Sequence, residues 1–191
     1  MFAKEIVKEA GDYILAHMQE ELNIERKSSP TDLVTRLDKE VQNFLVDRIR
    51  SHYPDDQFCA EEGCLRASVG HGSVWVIDPI DGTNNFVAQG DDFAIMVAYF
   101  ENGVGQFGII YDVMKGHCYH GGGTFQACLN EEPLPSFKDK PLRDFLIASN
   151  AGMLETNAWG VAELANASLG VRIYGSAAIS FSKILSGQLL T

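Results

Sequence analysis

The sequence has no apolar run long enough to cross a bilayer, no CxxC pair and little positive charge. Its opening stretch, MFAKEIVKEAGDYILAHM, interleaves charges with apolar residues. That excludes a signal h-region or a membrane span in that stretch, and a cytoplasmic protein is expected. Lys and Arg number 15 against 26 Asp and Glu, for a net charge of −11. Such a surface disfavours nucleic acid and anionic membranes. It would also repel an anionic substrate unless cations intervened. The four cysteines (Cys59, Cys64, Cys118, Cys128) lack zinc-ligand spacing. An even count permits two disulfides, but a chain of 191 residues needs no staples, so reduced and mostly buried thiols are expected. Internal repeats, low-complexity tracts and linkers are absent as well.

What is there is an ordinary globular balance, 46% apolar and 21% charged. The length allows one domain or two small ones. Phe2, Ile6, Ala10, Tyr13, Ile14 and His17 recur at helical spacing and predict a helix over 3–20. A loop, RKSSPTD at 26–32, precedes a second helix with Leu37, Val41, Phe44, Leu45 and Ile49 on one face, ending before Pro54. From Val74 the period changes. VWVI, FAIMVAYF, VGQFGIIY, GHCYHG and TFQACL read as an antiparallel meander. FLIAS at 145–149 is a further strand. A helix near 155–167, a strand VRIY and a helix from Ser176 to Ser186 follow. The Pro-rich loop at 131–141 suggests a boundary: an N-terminal α+β sub-domain over 1–140 and the start of an α/β sub-domain over 141–191. The class is mixed α and β in layers. KILSGQLLT ends as an element begins, which suggests that the C-terminal part is incomplete.

The chemistry concentrates in WVIDPIDGTNNF, residues 75–86. Pro79 biases Asp78 toward extended backbone at a strand's end. Asp81, Gly82 and Thr83 then enter a turn, where a short helix would offer its first amides to an anion. Two bare charges about 4 Å apart repel by about 4 kcal/mol at an effective dielectric near 20. A divalent cation resolves this by taking oxygens from both aspartates and bridging them to a phosphate. Taken alone, DxxD is more simply a solvated turn with an N-cap. Glu61 and Glu62 in CAEEG, with Asp32 and Asp38 around a helix start, add acids from other segments. That is the pattern of a magnesium cluster. Ser28 and Ser29 lack a base motif and read as loop residues. His117 and His120, three apart in a strand, face opposite ways. GHGS at 70–73 and GGGT at 121–124 lack the GxxxxGK[ST] phosphate-loop pattern and read as hairpin or loop glycines. Tyr99, Phe100, Phe107 and Tyr111 lie in strand runs and read as core or interface.

DPIDGTNNF, AEEG and KSSPTDLVTRLD resemble the inositol monophosphatase family of magnesium-dependent, lithium-sensitive phosphatases. The likeness extends to GSAAISFSKILSGQL at 175–189 and so covers essentially the whole chain. It implies an αβαβα sandwich of the sugar phosphatase type, a homodimer, Mg2+ as cofactor and a small phosphate monoester as substrate. Glu61, Asp78 and the Ile80 carbonyl would hold one magnesium, and Asp78 and Asp81 would share in a second. Asp38 would hydrogen-bond Thr83, and Thr83 with Glu61 would orient and deprotonate the attacking water. The Gly82 and Thr83 amides would grip phosphate oxygens. Gly175, Ser176 and Ala177 would line the substrate pocket, with Lys27 and Glu62 in support.

One departure stands out. The family's downstream WDxAA-type motif, whose aspartate is a ligand of the second metal, has no counterpart here. Trp159 lies in NAWGVAEL, with no aspartate following. Inositol 1-phosphate is the type substrate. Fructose 1,6-bisphosphate, 3′-phosphoadenosine 5′-phosphate and NADP are family alternatives. A shortened, non-catalytic dimerising or regulatory member is the rival reading.

Overall fold

The helical spacing near the N-terminus and the strand runs after residue 73 assemble into two layers. In a computed structural model of the chain, the described residues are 2–63, 65–137 and 139–190. Helix α1 (Phe2–His17) buries Ile6, Val7, Ala10, Gly11 and Ile14. It stops three residues short of the expected limit. After a short hairpin, β1 (Glu25–Arg26) with β2 (Leu33–Val34), comes α2 (Arg36–His52). Its start is fixed by a capping box: the Thr35 hydroxyl caps the Asp38 amide, and the Asp38 carboxylate accepts from the Thr35 amide. Leu37, Val41, Leu45 and Ile49 then recur on its inner face.

The main sheet has seven strands in sequential order: β3 (Gln57–Ala60), β4 (Ser73–Asp81), β5 (Ala94–Glu101), β6 (Val104–Asp112), β7 (His117–Gly122), β8 (Phe125–Leu129) and β9 (Glu132–Pro133). Helix α3 (Thr83–Gln89) sits between β4 and β5. From β4 onward every pairing is antiparallel, as expected of the meander, whereas β3 pairs with β4 in parallel. Alternation along β4 sends Trp75 and Ile77 to the face packed by α1 and α2, where they join Phe58, Ile95, Val97, Ile109 and Tyr111. Val76 and Asp78 therefore face the other side. Fully burying each large aliphatic side chain of this core contributes about 1.5–3 kcal/mol. The contact is tight at Gly11, where a Cβ would lie 2.4 Å from the Tyr111 ring.

The second half is smaller. Strand β10 (Leu146–Ala148) pairs in parallel with β11 (Gly170–Arg172), and Leu190 bridges to Ile147. The helix expected near 155–167 is instead α4 (Ala151–Thr156), a 3-10 turn at Ala158–Gly160 and α5 (Val161–Ala167). Asn157 and Trp159 both adopt positive φ (50° and 54°), which breaks the helical path. The helix expected from Ser176 to Ser186 is α6 (Ala177–Leu185), with Ser176 as its N-cap. It lays Ala178 and Ile179 against Ala94, Met96 and Ile110 on the second face of the main sheet. Cys59, Cys118 and Cys128 are free thiols, half-buried rather than fully buried; Cys64 lies outside the described residues. No helix among the described residues is long and apolar enough to cross a membrane.

Candidate active site

Strand β4 runs three residues further than expected, through Asp81, and its register against β5 slips between Asp78 and Asp81. That irregularity lets both carboxylates serve one region although they are an odd number of positions apart. Gly82 follows with φ 91°, a left-handed conformation that favours glycine, and caps α3 without any side-chain bond. The first amides of α3 are the ones a helix leaves without internal partners.

Asp78 is the electrostatic centre. One of its oxygens, Oδ1, is buried with no hydrogen-bond partner. Burial, then the charge and contact of Glu61, then Asp81 and Asp38, push its carboxyl up to about 9. Glu61 lies just past the end of β3, its amide bonded to the Ile77 carbonyl across the parallel pair. Glu62 is held more firmly. Its amide donates to Gln42 Oε1 and its carbonyl accepts from Gln42 Nε2, both at 2.7 Å. Lys27, on the turn between β1 and β2, donates to Glu61 at 2.8 Å and Glu62 at 2.5 Å. Burial pulls the Lys27 ammonium down, but the bonds to the two glutamates outweigh it and hold it above the ordinary lysine value.

Asp38 is 1% exposed, not a helix-surface residue. Its Oδ2 is taken by the Thr35 amide (2.8 Å) and hydroxyl (2.6 Å), which leaves Oδ1 facing Thr83 Oγ1 at 3.2 Å. Burial raises the Asp38 carboxyl above the usual aspartate value, and the bonds from Thr35 partly offset this. Thr83 Oγ1 also lies 3.0 Å from the Ile80 carbonyl, so one hydroxyl proton has two acceptors.

Asp81 is occupied differently. Ser176 Oγ donates to its Oδ2, the Ala178 amide donates to the same oxygen at 2.8 Å, and the Ala177 amide reaches Oδ1 at 3.3 Å. The N-terminus of α6 thus rests on this carboxylate, a favourable end of the helix for a negative charge. Gly82 permits the approach, since a Cβ there would meet Ser176 Cβ at 2.9 Å. At Gly82 the backbone thus comes close to another segment of this chain. A cleft of about 470 Å³ adjoins, lined in part by Ser149, Asn150, Gly175, Ser176, Ala177 and Ser180.

Every residue singled out from the motifs therefore comes together except Asp32, whose carboxylate serves the local turn through Ser28. His120 bonds the Asn130 carbonyl, and Gly122 and Gly123 turn the β7–β8 hairpin; His120 and Gly122 line a cavity of about 450 Å³ that Asp78 also lines. Sequence reasoning missed Gln42, which pins Glu62, and Asn85, which bonds Asp92 and Tyr174. Among the described residues no group of three His, Cys, Asp or Glu side chains stands ready to enclose a metal ion. Lys27 lies on the glutamates and α6 lies on Asp81. The donor chemistry nonetheless fits a hard divalent cation: a buried carboxylate oxygen without a partner, in an all-oxygen neighbourhood of excess negative charge.

A family model described as the inositol monophosphatase family matches residues 1–190. The chain belongs to that family. Inositol-1-monophosphatase of Bacillus subtilis (strain 168) is 40% identical over 194 residues, covering 98% of this chain and 72% of the relative. The solved inositol monophosphatase-II of Staphylococcus aureus MSSA476 is 37% identical with a TM-score of 0.86, covering 98% of this chain and 71% of that one. An inositol monophosphatase/NADP phosphatase solved with Mg2+ and phosphate is 28% identical with a TM-score of 0.88, covering 98% and 70%. The fold is accordingly that of the inositol monophosphatase family, whose members are phosphoric monoester hydrolases. The chain spans a little under three quarters of the length of these relatives.

Proposed function

We propose that the chain hydrolyses a small phosphate monoester with Mg2+, inositol 1-phosphate being the leading substrate. The observation that carries this reading is the buried, unpartnered oxygen of Asp78 beside Glu61, Asp81 and Asp38. Glu61, Asp78 and the Ile80 carbonyl would hold one magnesium, and Asp78 with Asp81 would contribute to a second. Bound there, the ions would lower the pKa of a water and neutralise charge on the phosphoryl group.

The remaining work falls to the chain itself. When Thr83 donates its hydroxyl hydrogen bond to Asp38, its lone pairs are free to accept a hydrogen bond from the attacking water, and the Glu61 carboxylate alongside would take the water's proton. The amides of Gly82 and Thr83 would bind phosphate oxygens at the start of α3. Lys27 would supply positive charge beside Glu61, with Glu62 holding that ammonium in place. Gly175, Ser176 and Ala177 would bound the polyol side of the site. A homodimer, a cytoplasmic setting and lithium sensitivity belong to the same reading and rest on family membership.

The relative described as an NADP phosphatase as well supports a wider substrate range, and 3′-phosphoadenosine 5′-phosphate and fructose 1,6-bisphosphate are further candidates. A non-catalytic binding member of the family, without turnover, is the rival reading. Phosphate release from inositol 1-phosphate, measured with and without Mg2+ and then with added Li+, separates the two. Turnover that needs Mg2+ and falls with Li+ supports the hydrolase. No release at any Mg2+ concentration leaves the binding protein.

A further inference from the structure

Three neighbouring side chains of α3 reach three different segments. Thr83 points to Asp38 of α2, Asn84 donates to the Thr31 carbonyl at 2.9 Å, and Asn85 reaches the C-terminal half. Asn85 Nδ2 donates to the Tyr174 carbonyl at 2.6 Å and to the Asp92 carbonyl at 2.9 Å. Both neighbours are acceptors only, so the two hydrogens of one carboxamide are used in full. A carboxylate cannot make either bond.

The packing on this amide is equally close. Gly175 adopts φ +70°, and a Cβ on it would lie 2.9 Å from Asn85 Oδ1 and 3.3 Å from Nδ2. Gly82 shows the mirror relation, its missing Cβ leaving room for Ser176 and the Asp92 carbonyl. The Gly82–Asn85 start of α3 and the Gly175–Ser176 turn therefore interlock glycine against side chain in both directions. Among the described residues, the side-chain hydrogen bond from α3 to the residue that leads into that turn is the one from Asn85 to the Tyr174 carbonyl, while its bond to Asp92 closes the loop after α3. Directly beyond Tyr174 and Gly175 stand Ser176, Ala177 and Ala178, whose hydroxyl and amides hold Asp81.

We propose that Asn85 is a positioning residue: its carboxamide sets the Gly175–Ala177 turn, and through it the orientation of Asp81. The proposal deepens the hydrolase reading and rests on it for its kinetic consequence, while its structural consequence does not depend on turnover.

The test compares wild type with Asn85→Ala and Asn85→Asp by two measurements. Hydrogen exchange of the Ala177 and Ala178 amides is followed in metal-free protein, with β6 amides as reference. kcat and KM are measured for inositol 1-phosphate with Mg2+. Exchange at the two amides is expected to quicken about tenfold or more in both variants, with β6 unchanged. KM is expected to rise about tenfold, and the Mg2+ concentration giving half-maximal rate to rise with it, because Asp81 would be a magnesium ligand. Unchanged exchange at those amides overturns the proposal. Quickened exchange with unaltered KM also overturns it and makes Asn85 a structural tie only. Quickened exchange with a wild type that turns nothing over supports the clasp and refutes the hydrolase reading instead. Should both variants fail to fold, Gly175→Ala presses on the same amide from the other side. It is expected to show the same two changes, and their absence would overturn the proposal.

Discussion

Replacing Asp78 with asparagine should make the metal-free protein more stable, and more so as pH rises. The Asp78 carboxyl moves from 3.8 to about 9 on folding, chiefly through burial and then through Glu61. Below pH 3.8 both folded and unfolded chains carry the proton. As pH rises from there, the unfolded chain releases it and the folded protein keeps it, so stability falls until the folded value is passed. One proton sets a ceiling of about 1.4 kcal/mol per pH unit on that fall. Between pH 5 and pH 7 the wild type therefore loses up to about 2.7 kcal/mol that Asp78→Asn does not lose. At this chain length that gap corresponds to roughly 5–10 °C in melting temperature. Thermal unfolding in a chelator at the two pH values measures it. Magnesium should then reverse the order. At a hundred times its dissociation constant, a ligand of the folded state adds about 2.7 kcal/mol, and only the wild type should gain it. A stability gap that stays constant between pH 5 and 7 would refute the buried proton on Asp78. Equal stabilisation of both proteins by Mg2+ would refute Asp78 as a ligand.

Thr83→Ala should lower kcat by about a hundredfold while costing only about 1 kcal/mol of stability, because one hydroxyl bond is lost. Thr83→Ser should restore most of the rate in the same phosphate-release assay; a fully active alanine variant would remove Thr83 from the mechanism. Gly11→Ala sets a helix-propensity gain of about 1 kcal/mol against an overpacking cost of about 1–3 kcal/mol, because the new Cβ lies 2.4 Å from the Tyr111 ring. A net fall of about 2–4 °C in melting temperature is expected, and a rise would show that α1 can slide off β6 without cost.

The parts of the fold that repeat locally were legible. Helices α1 and α2 and the strands from β4 to β8 carry their period in a few consecutive residues. The parallel pairing of β3 with β4 was not, because it depends on residues such as Phe58 and Trp75 meeting across a long connection. The helix that divides into α4 and α5 misled for a different reason: Asn157 and Trp159 take left-handed backbone without being glycine. In the site, the acids stood out because DPIDGTNNF and AEEG are dense local motifs. The grip of α6 on Asp81 joins residues about a hundred positions apart, and Gln42 bonds a main chain rather than a side chain. Nothing in local spacing marks either of them.

Helix α3 is only seven residues long, yet it is tied at successive positions to α2, to the Lys27 turn and to the C-terminal turn. Such a short rod cannot tilt toward one anchor without straining the other two. Fluctuations of these distant loops are therefore coupled, and the pocket should open and close as a single body rather than wall by wall.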